Sequence, residues 1–233
     1  ASKAKRKRSA SSIEKSNRRR DEEEFAAIAN TNFGEGDYAI HLTFRDDDHP
    51  DAVKAWRVYL QAIRRLEKKR GLDEVLALHM IEEVGRDGEP LRTHIHAMIK
   101  SGIGRDELEQ MWRKRYGHAN ATVLAPDENG LYAYAQYCMK AGPSTYRRRR
   151  WGCTRNCKRP EPKRTTRLPN GKRLTKKLIY EMVAGTVDAK EIFEQAYPGW
   201  RMLSFVPRGS EYVSGVWVDI RMSKIKTERR RKQ

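Results

Sequence analysis

Apolar and polar residues alternate along 38–45: Ile40, Leu42 and Phe44 take one phase, and Ala39, His41, Thr43 and Arg45 the other. That period of two is the mark of a half-buried β-strand. Beyond the polar run Asp46-Asp47-Asp48-His49-Pro50 the period lengthens. Val53, Trp56, Leu60, Ile63 and Leu66 recur at helical spacing, and Gly71 supplies a C-terminal stop. Strand patterning returns over 75–83 and 91–100, joined by turn chemistry at 85–90, which predicts a hairpin. Leu108, Met111 and Trp112 mark a short helix over 105–116, and 119–124 reads as a fourth strand. Asn129 is a candidate N-cap for a helix carrying 131–141. The order β-α-β-β-α-β-α predicts an α+β fold, a central antiparallel sheet with helices packed mainly on one face.

The flanks break this pattern. Residues 1–24 carry cationic runs (Lys5 to Arg8, Arg18 to Arg20) and then an acidic block from Asp21 to Glu24. Such blocks bury too little surface to offset ordering entropy, so a disordered basic arm is expected there. Residues 25–146 are then expected to form the main domain, and 147–233 a small basic C-terminal extension with the charge to bind DNA. Between 147 and 177 the only acid is Glu161. Within the extension, 174–196 reads as helical and 202–206 and 212–222 as strands. No internal repeat is present.

Charge narrows the function classes. A formal net charge of +18 in 233 residues, with a pI near 10.0, predicts attraction to a polyanion, foremost nucleic acid. No apolar run approaches the ~20 residues needed to span a bilayer, so no membrane partner is expected. The three cysteines, Cys138, Cys153 and Cys157, fit a reducing cytosol better than a disulfide scaffold. Cys153 and Cys157 have zinc-ligand chemistry but no further Cys or His beside them in sequence.

The segment Thr93-His94-Ile95-His96-Ala97-Met98-Ile99-Lys100 changes the picture most. On a strand, His94 and His96 leave the same face, with Met98 and Lys100, while Ile95, Ala97 and Ile99 face the opposite side. Two imidazoles so placed can hold one cation. Glu82 and Glu83 lie on the preceding strand, and one of them can share that face. Two imidazoles and a carboxylate suit Mn²⁺ or Mg²⁺ acting on a phosphate. On the helix over 131–141, Leu131, Ala135 and Cys138 form an apolar stripe with Tyr134 at its rim. Tyr137 and Lys140 fall on another flank, a phenol nucleophile beside a cation. Further on, Tyr146, Arg147, Arg148, Arg149, Arg150, Trp151 and Arg155 interleave cations with aromatics, a pattern that suits phosphates and unpaired bases.

Together these motifs resemble the HUH endonuclease superfamily. His94-Ile95-His96 looks like its His-hydrophobic-His motif, and Tyr137-Cys138-Met139-Lys140 like the tyrosine-lysine motif of single-tyrosine rolling-circle replication initiators. The 40–45 strand resembles their first motif, and Glu83 to Pro90 the segment before the histidine pair. The resemblance spans about 36–142. It implies a ferredoxin/RRM-like sheet, metal held by His94, His96 and Glu83 (Glu82 in reserve), catalysis by Tyr137 with Lys140, and DNA beside Thr43 and Arg45. It further implies metal-dependent nicking of single-stranded DNA at a plasmid or phage origin with an adjacent hairpin, through a 5′-phosphotyrosine. The setting would be the cytoplasm of a bacterial host. No Gly-x-x-x-x-Gly-Lys-Ser/Thr loop is present, so a host helicase and polymerase are the expected partners. A relaxase or single-tyrosine transposase would use the same chemistry. A non-catalytic basic nucleic-acid-binding protein is the alternative of another class.

Overall fold

The computed structural model describes residues 10–45, 51–85, 89–140, 151–210 and 213–225. They fall into two compact units, one over 14–160 and one that joins 10–13 with the residues from Glu161 on. Tyr146 and Arg147 to Arg150 lie outside the described residues.

The first unit is built on a five-stranded antiparallel sheet in the order β4-β1-β3-β2-β5. Its strands are β1 (Tyr38–Thr43), β2 (Leu76–Val84), β3 (Pro90–Lys100), β4 (Ala119–Val123) and β5 (Trp151–Cys153). Helix α2 (Ala52–Arg70) connects β1 to β2, and α3 (Arg105–Arg113) connects β3 to β4. The β-α-β-β-α-β succession with order 4-1-3-2 is the ferredoxin-like arrangement. Helix α2 starts where Asp51 accepts hydrogen bonds from the backbone N–H groups of Val53 and Lys54, and it ends at Gly71 in a left-handed cap.

Each face of the sheet has its own core. Ile40, Leu42, Phe44, Ala77, Ile81, Ile95, Ala97, Ile99, Ala119 and Ala121 face α2 and α3, where Trp56, Tyr59, Ile63, Leu108 and Trp112 close the layer. The second face is also covered, contrary to the one-sided packing expected from sequence. Helices α1 (Ala10–Asn32) and α4 (Tyr132–Met139) lay Phe25, Ile28, Ala29, Phe33, Leu131, Ala135 and Cys138 over Ala39, Leu78, Met80 and Met98.

Helix α1 replaces much of the expected disordered arm: residues 10–24 are helical. The charge blocks pair along the helix, Arg18 with Glu22 and Arg19 with Glu23. Such i,i+4 pairs add only a few tenths of a kcal/mol each. Burial of Phe25, Ile28 and Phe33, at about 1.5–3 kcal/mol per side chain, stabilises the docked helix far more.

The expected domain boundary at 146/147 also moves. Residues 151–153 form the outer strand of the sheet, pairing with Leu78 to Met80. The chain beyond is tied down as well. Thr154 Oγ1 accepts from Ala77 N–H, Cys157 is buried, and Asn32 bonds both the N–H and the carbonyl of Lys158. The first unit therefore runs on to about residue 160.

In the second unit, α5 (Lys176–Val183) and α6 (Ala189–Ala196) pack on a hairpin of β6 (Trp200–Ser210) and β7 (Val213–Lys224). The single helix expected over 174–196 is two helices, because Gly185 turns the chain and Asp188 caps a new start.

Candidate functional site

The open end of the second sheet face gathers the candidate groups. Register sets it: His41 lies opposite His96 across β1 and β3, and Glu82 opposite His94 across β2 and β3. All four side chains leave the same face, with α4 alongside His96. His41 stacks on His96 with ring centroids 4.7 Å apart, and His94 stands edge-on to both at 5.0 Å. One ring nitrogen from each of His41, His94 and His96 lies within 4.8 Å of the other two. The cluster could hold a metal ion.

His41 is the residue that sequence reasoning missed. It stands in the polar phase of an alternating strand, and that was its only signal. The carboxylate at the site belongs to Glu82, not to Glu83. Glu82 Oε2 lies 2.8 Å from His94 Nε2 and 3.3 Å from His96 Nε2. The family pattern points to Glu83, but the register pairs Glu82, not Glu83, with His94. Strand alternation gives Glu82 to the histidine face and takes Glu83 off it.

Backbone contacts orient the rings. His94 Nδ1 lies 2.9 Å from the carbonyl of Arg92, which fixes a proton on that nitrogen and turns Nε2 toward the centre. The Arg92 guanidinium donates to the carbonyls of Phe44 and Arg45 and so binds β3 to the end of β1.

Titration follows from these contacts. Burial opposes ionisation of Glu82, but hydrogen bonds from His94 and His96 and their charge outweigh it and hold the carboxyl at about 2. Burial lowers His94, yet its bonds to Glu82 and the Arg92 carbonyl raise it overall. Burial, then the His96 and His94 imidazoles, push His41 down to about 4. A neutral imidazole with its lone pair free is the form that ligates a cation. The donor set fits a metal ion, which would displace the proton His94 shares with Glu82: three imidazoles with a carboxylate alongside.

Helix α4 brings the tyrosine to this group. Leu131, Ala135, Cys138 and Met139 are buried beneath it. Tyr137 is 56% exposed, and its ring stands edge-on to His96 at 5.6 Å. Tyr134 stacks on Tyr137 at 6.3 Å but packs against the core, and burial raises its phenol well above the ordinary value. Lys140 is the exposed C-cap residue of α4. The expected N-cap, Asn129, lies instead in the turn before the helix, with Leu131 at the cap position. Beyond Tyr134 a hollow of about 320 Å³ is bounded by Ala39, Thr122, Leu124 and Leu131.

The expected DNA-contacting residues divide. Thr43 lies on β1 two residues past His41, on the histidine face, and Arg45 is exposed just beyond. Trp151 does not project as a free stacking platform. Its ring meets Phe25 edge-on at 5.7 Å and packs against the core under α1. Arg155 is exposed in the turn after β5. Cys153 and Cys157 are free thiols, and Cys157 is buried beside Thr154 and the Ala77 carbonyl.

No protein-family model, curated protein or solved structure matches the chain. No helix among the described residues is long and apolar enough to cross a membrane.

Proposed function

We propose that this chain is a metal-dependent nicking and strand-transfer enzyme of the HUH type, acting on single-stranded DNA as a rolling-circle replication initiator. One observation carries the reading: an exposed tyrosine, Tyr137, stands against one of three imidazoles clustered on an open sheet face. A lone metal site or a lone surface tyrosine would not separate an enzyme from a basic binding protein. Their adjacency favours the enzyme.

His41, His94 and His96 would hold the ion, with Glu82 as a fourth ligand once the ion replaces the proton that His94 Nε2 shares with it. A divalent ion there would polarise a phosphate and neutralise charge developing on it. Three nitrogen donors favour Mn²⁺ over Mg²⁺, which prefers oxygen. The Tyr137 oxygen attacks phosphorus in line, and the bond from phosphorus to the 3′ oxygen breaks. The phenolic proton passes to solvent, and the departing 3′ oxygen takes one up. The products are a 5′-phosphotyrosine and a free 3′-hydroxyl, and the reverse attack rejoins a strand. Lys140 adds positive charge on the same helix flank. The hollow beside Tyr134 offers room for a base flanking the scissile phosphate.

The test is incubation of the full chain with labelled single-stranded oligonucleotides from the DNA flanking its gene, with Mn²⁺, followed by denaturing electrophoresis. A covalent adduct that needs metal and is lost in Tyr137→Phe but kept in Tyr134→Phe supports the reading. Absence of an adduct on every strand, with binding intact, favours the non-catalytic alternative.

A further inference from the structure

The second unit holds a group of cations in an arrangement that is costly without a partner. Arg167 and Arg173 face each other across a β-bridge. Directly opposed like charges destabilise a strand pair, yet this turn is firmly built. Leu168 N–H donates to the Lys172 carbonyl, Gly171 N–H to the Leu168 carbonyl, and Leu174 N–H to the Thr166 carbonyl. Asn170 Oδ1 accepts from Lys172 N–H, and Gly171 takes the left-handed conformation that the turn requires, at φ +83°. Leu168 is 3% exposed and anchors the turn in the unit's core.

More charge follows at once. Thr175 caps α5, and Lys176 and Lys177 occupy its first turn, which carries no acid. Cations at a helix N-terminus oppose the helix dipole. Lys177 reaches Glu181 only at 3.9 Å. Among the described residues, no acidic side chain pairs with Arg167, Lys172, Arg173 or Lys176, and all are exposed. Folding thus gathers five cations around one turn and one helix start, against both local electrostatic preferences.

We infer that the Arg167–Arg173 turn and the start of α5 form a clamp for the phosphodiester backbone of nucleic acid. A row of phosphates would turn the repulsion between the opposed guanidiniums into two attractions and place anions at the N-terminus of α5. An anionic membrane is the weaker partner. A membrane surface attracts cations without ordering them, whereas two guanidiniums held opposite each other on a rigid turn offer paired forks at fixed spacing to successive phosphates. The clamp reads no sequence; it sets position and affinity. It stands on charge geometry alone and does not depend on the nicking reading.

The experiment compares the full chain with R167Q/R173Q and with a charge-matched control, K68Q/K69Q, whose lysines are exposed in the last turn of α2. Binding to duplex and single-stranded oligonucleotides and to phosphatidylserine vesicles is followed against salt. Two lost phosphate contacts should lower the slope of log affinity against log salt by about 1.8 on duplex or about 1.4 on single strands. The control should leave the slope unchanged. The thermal midpoint of the DNA-free clamp variant should equal or exceed the parent's, because repulsion has been removed. Equal slope loss in both double variants would reduce the clamp to diffuse charge and overturn it. A lowered midpoint without a slope change would make the arginines structural, and vesicle binding lost with the DNA slope intact would make the partner a membrane. Either result overturns it too.

Discussion

The Tyr137 ring stands edge-on to the His96 imidazole, with centroids 5.6 Å apart and planes at 83°. Tyr137 is exposed while His96 is 7% exposed, so the pair joins a solvent-facing phenol to a fixed ring of the candidate metal centre. Removing the phenolic oxygen should leave that centre intact. Tyr137→Phe is expected to bind Mn²⁺ within about twofold of the parent, measured by calorimetry, while forming no adduct. A large loss of metal affinity would mean that the tyrosine is a ligand.

His41 should matter as much as the two histidines of the β3 motif. His41→Ala is expected to weaken Mn²⁺ binding at least about tenfold, as His94→Ala and His96→Ala should, with the fold retained by circular dichroism. Mn²⁺ should bind more tightly than Mg²⁺. If His41→Ala binds Mn²⁺ like the parent, the site uses two imidazoles only.

The two adjacent glutamates should behave differently. Glu82 lies against the Nε2 atoms of His94 and His96 that would ligate the ion, so it is placed as a further ligand, and its loss should lower metal affinity no less than the ~10–100-fold typical of an outer-shell partner. Glu82→Gln should show that loss, and Glu83→Gln should not. The reverse ranking would return Glu83 to the site.

The sequence showed this site only as far as local periodicity reaches. Alternation placed His94 and His96 on one face without knowledge of any neighbour. His41 obeys the same alternation, but its role depends on β1 pairing beside β3 with His41 opposite His96, and a period of two carries no pairing register. Alternation alone leaves Glu82 and Glu83 open and the family pattern points to Glu83; the register shift between Glu82 and Val84 lies beyond what either can count. Helix α4 is local, so its buried stripe and its separate Tyr137 flank were both readable. Helix α1 was hidden by its charges, since Phe25, Ile28 and Phe33 matter only once the second sheet face exists to receive them.

Trp151 illustrates the same point and can be tested directly. It packs against Phe25, so Trp151→Ala should cost about 2 kcal/mol of stability, below the ~3–5 of a fully buried aromatic. Its effect on DNA affinity at temperatures where the chain stays folded should be small. A large affinity loss without destabilisation would restore the base-stacking role.

The thiols report on the core beneath the tyrosine. Burial pushes the Cys138 thiol up to about 12, helped by the Glu82 charge and opposed by its hydrogen bond with Tyr134. Burial also raises Cys157. A thiol must be reached to react, so the buried Cys138 and Cys157 should stay protected in the native chain while the partly buried Cys153 is labelled. Titration with a disulfide reagent should find one fast thiol in the native chain and three after denaturation. Rapid labelling of Cys138 at pH 8 would show that α4 does not stay docked.

The most direct test of the central claim is to trap the covalent complex on single-stranded DNA with Mn²⁺, digest both components and map the modified peptide by mass spectrometry. The expected result is a nucleotide joined through its 5′ phosphate to Tyr137. A nucleotide on Tyr132 or Tyr134, or no modified peptide from a metal-loaded chain bound to its cleavable strand, would contradict it.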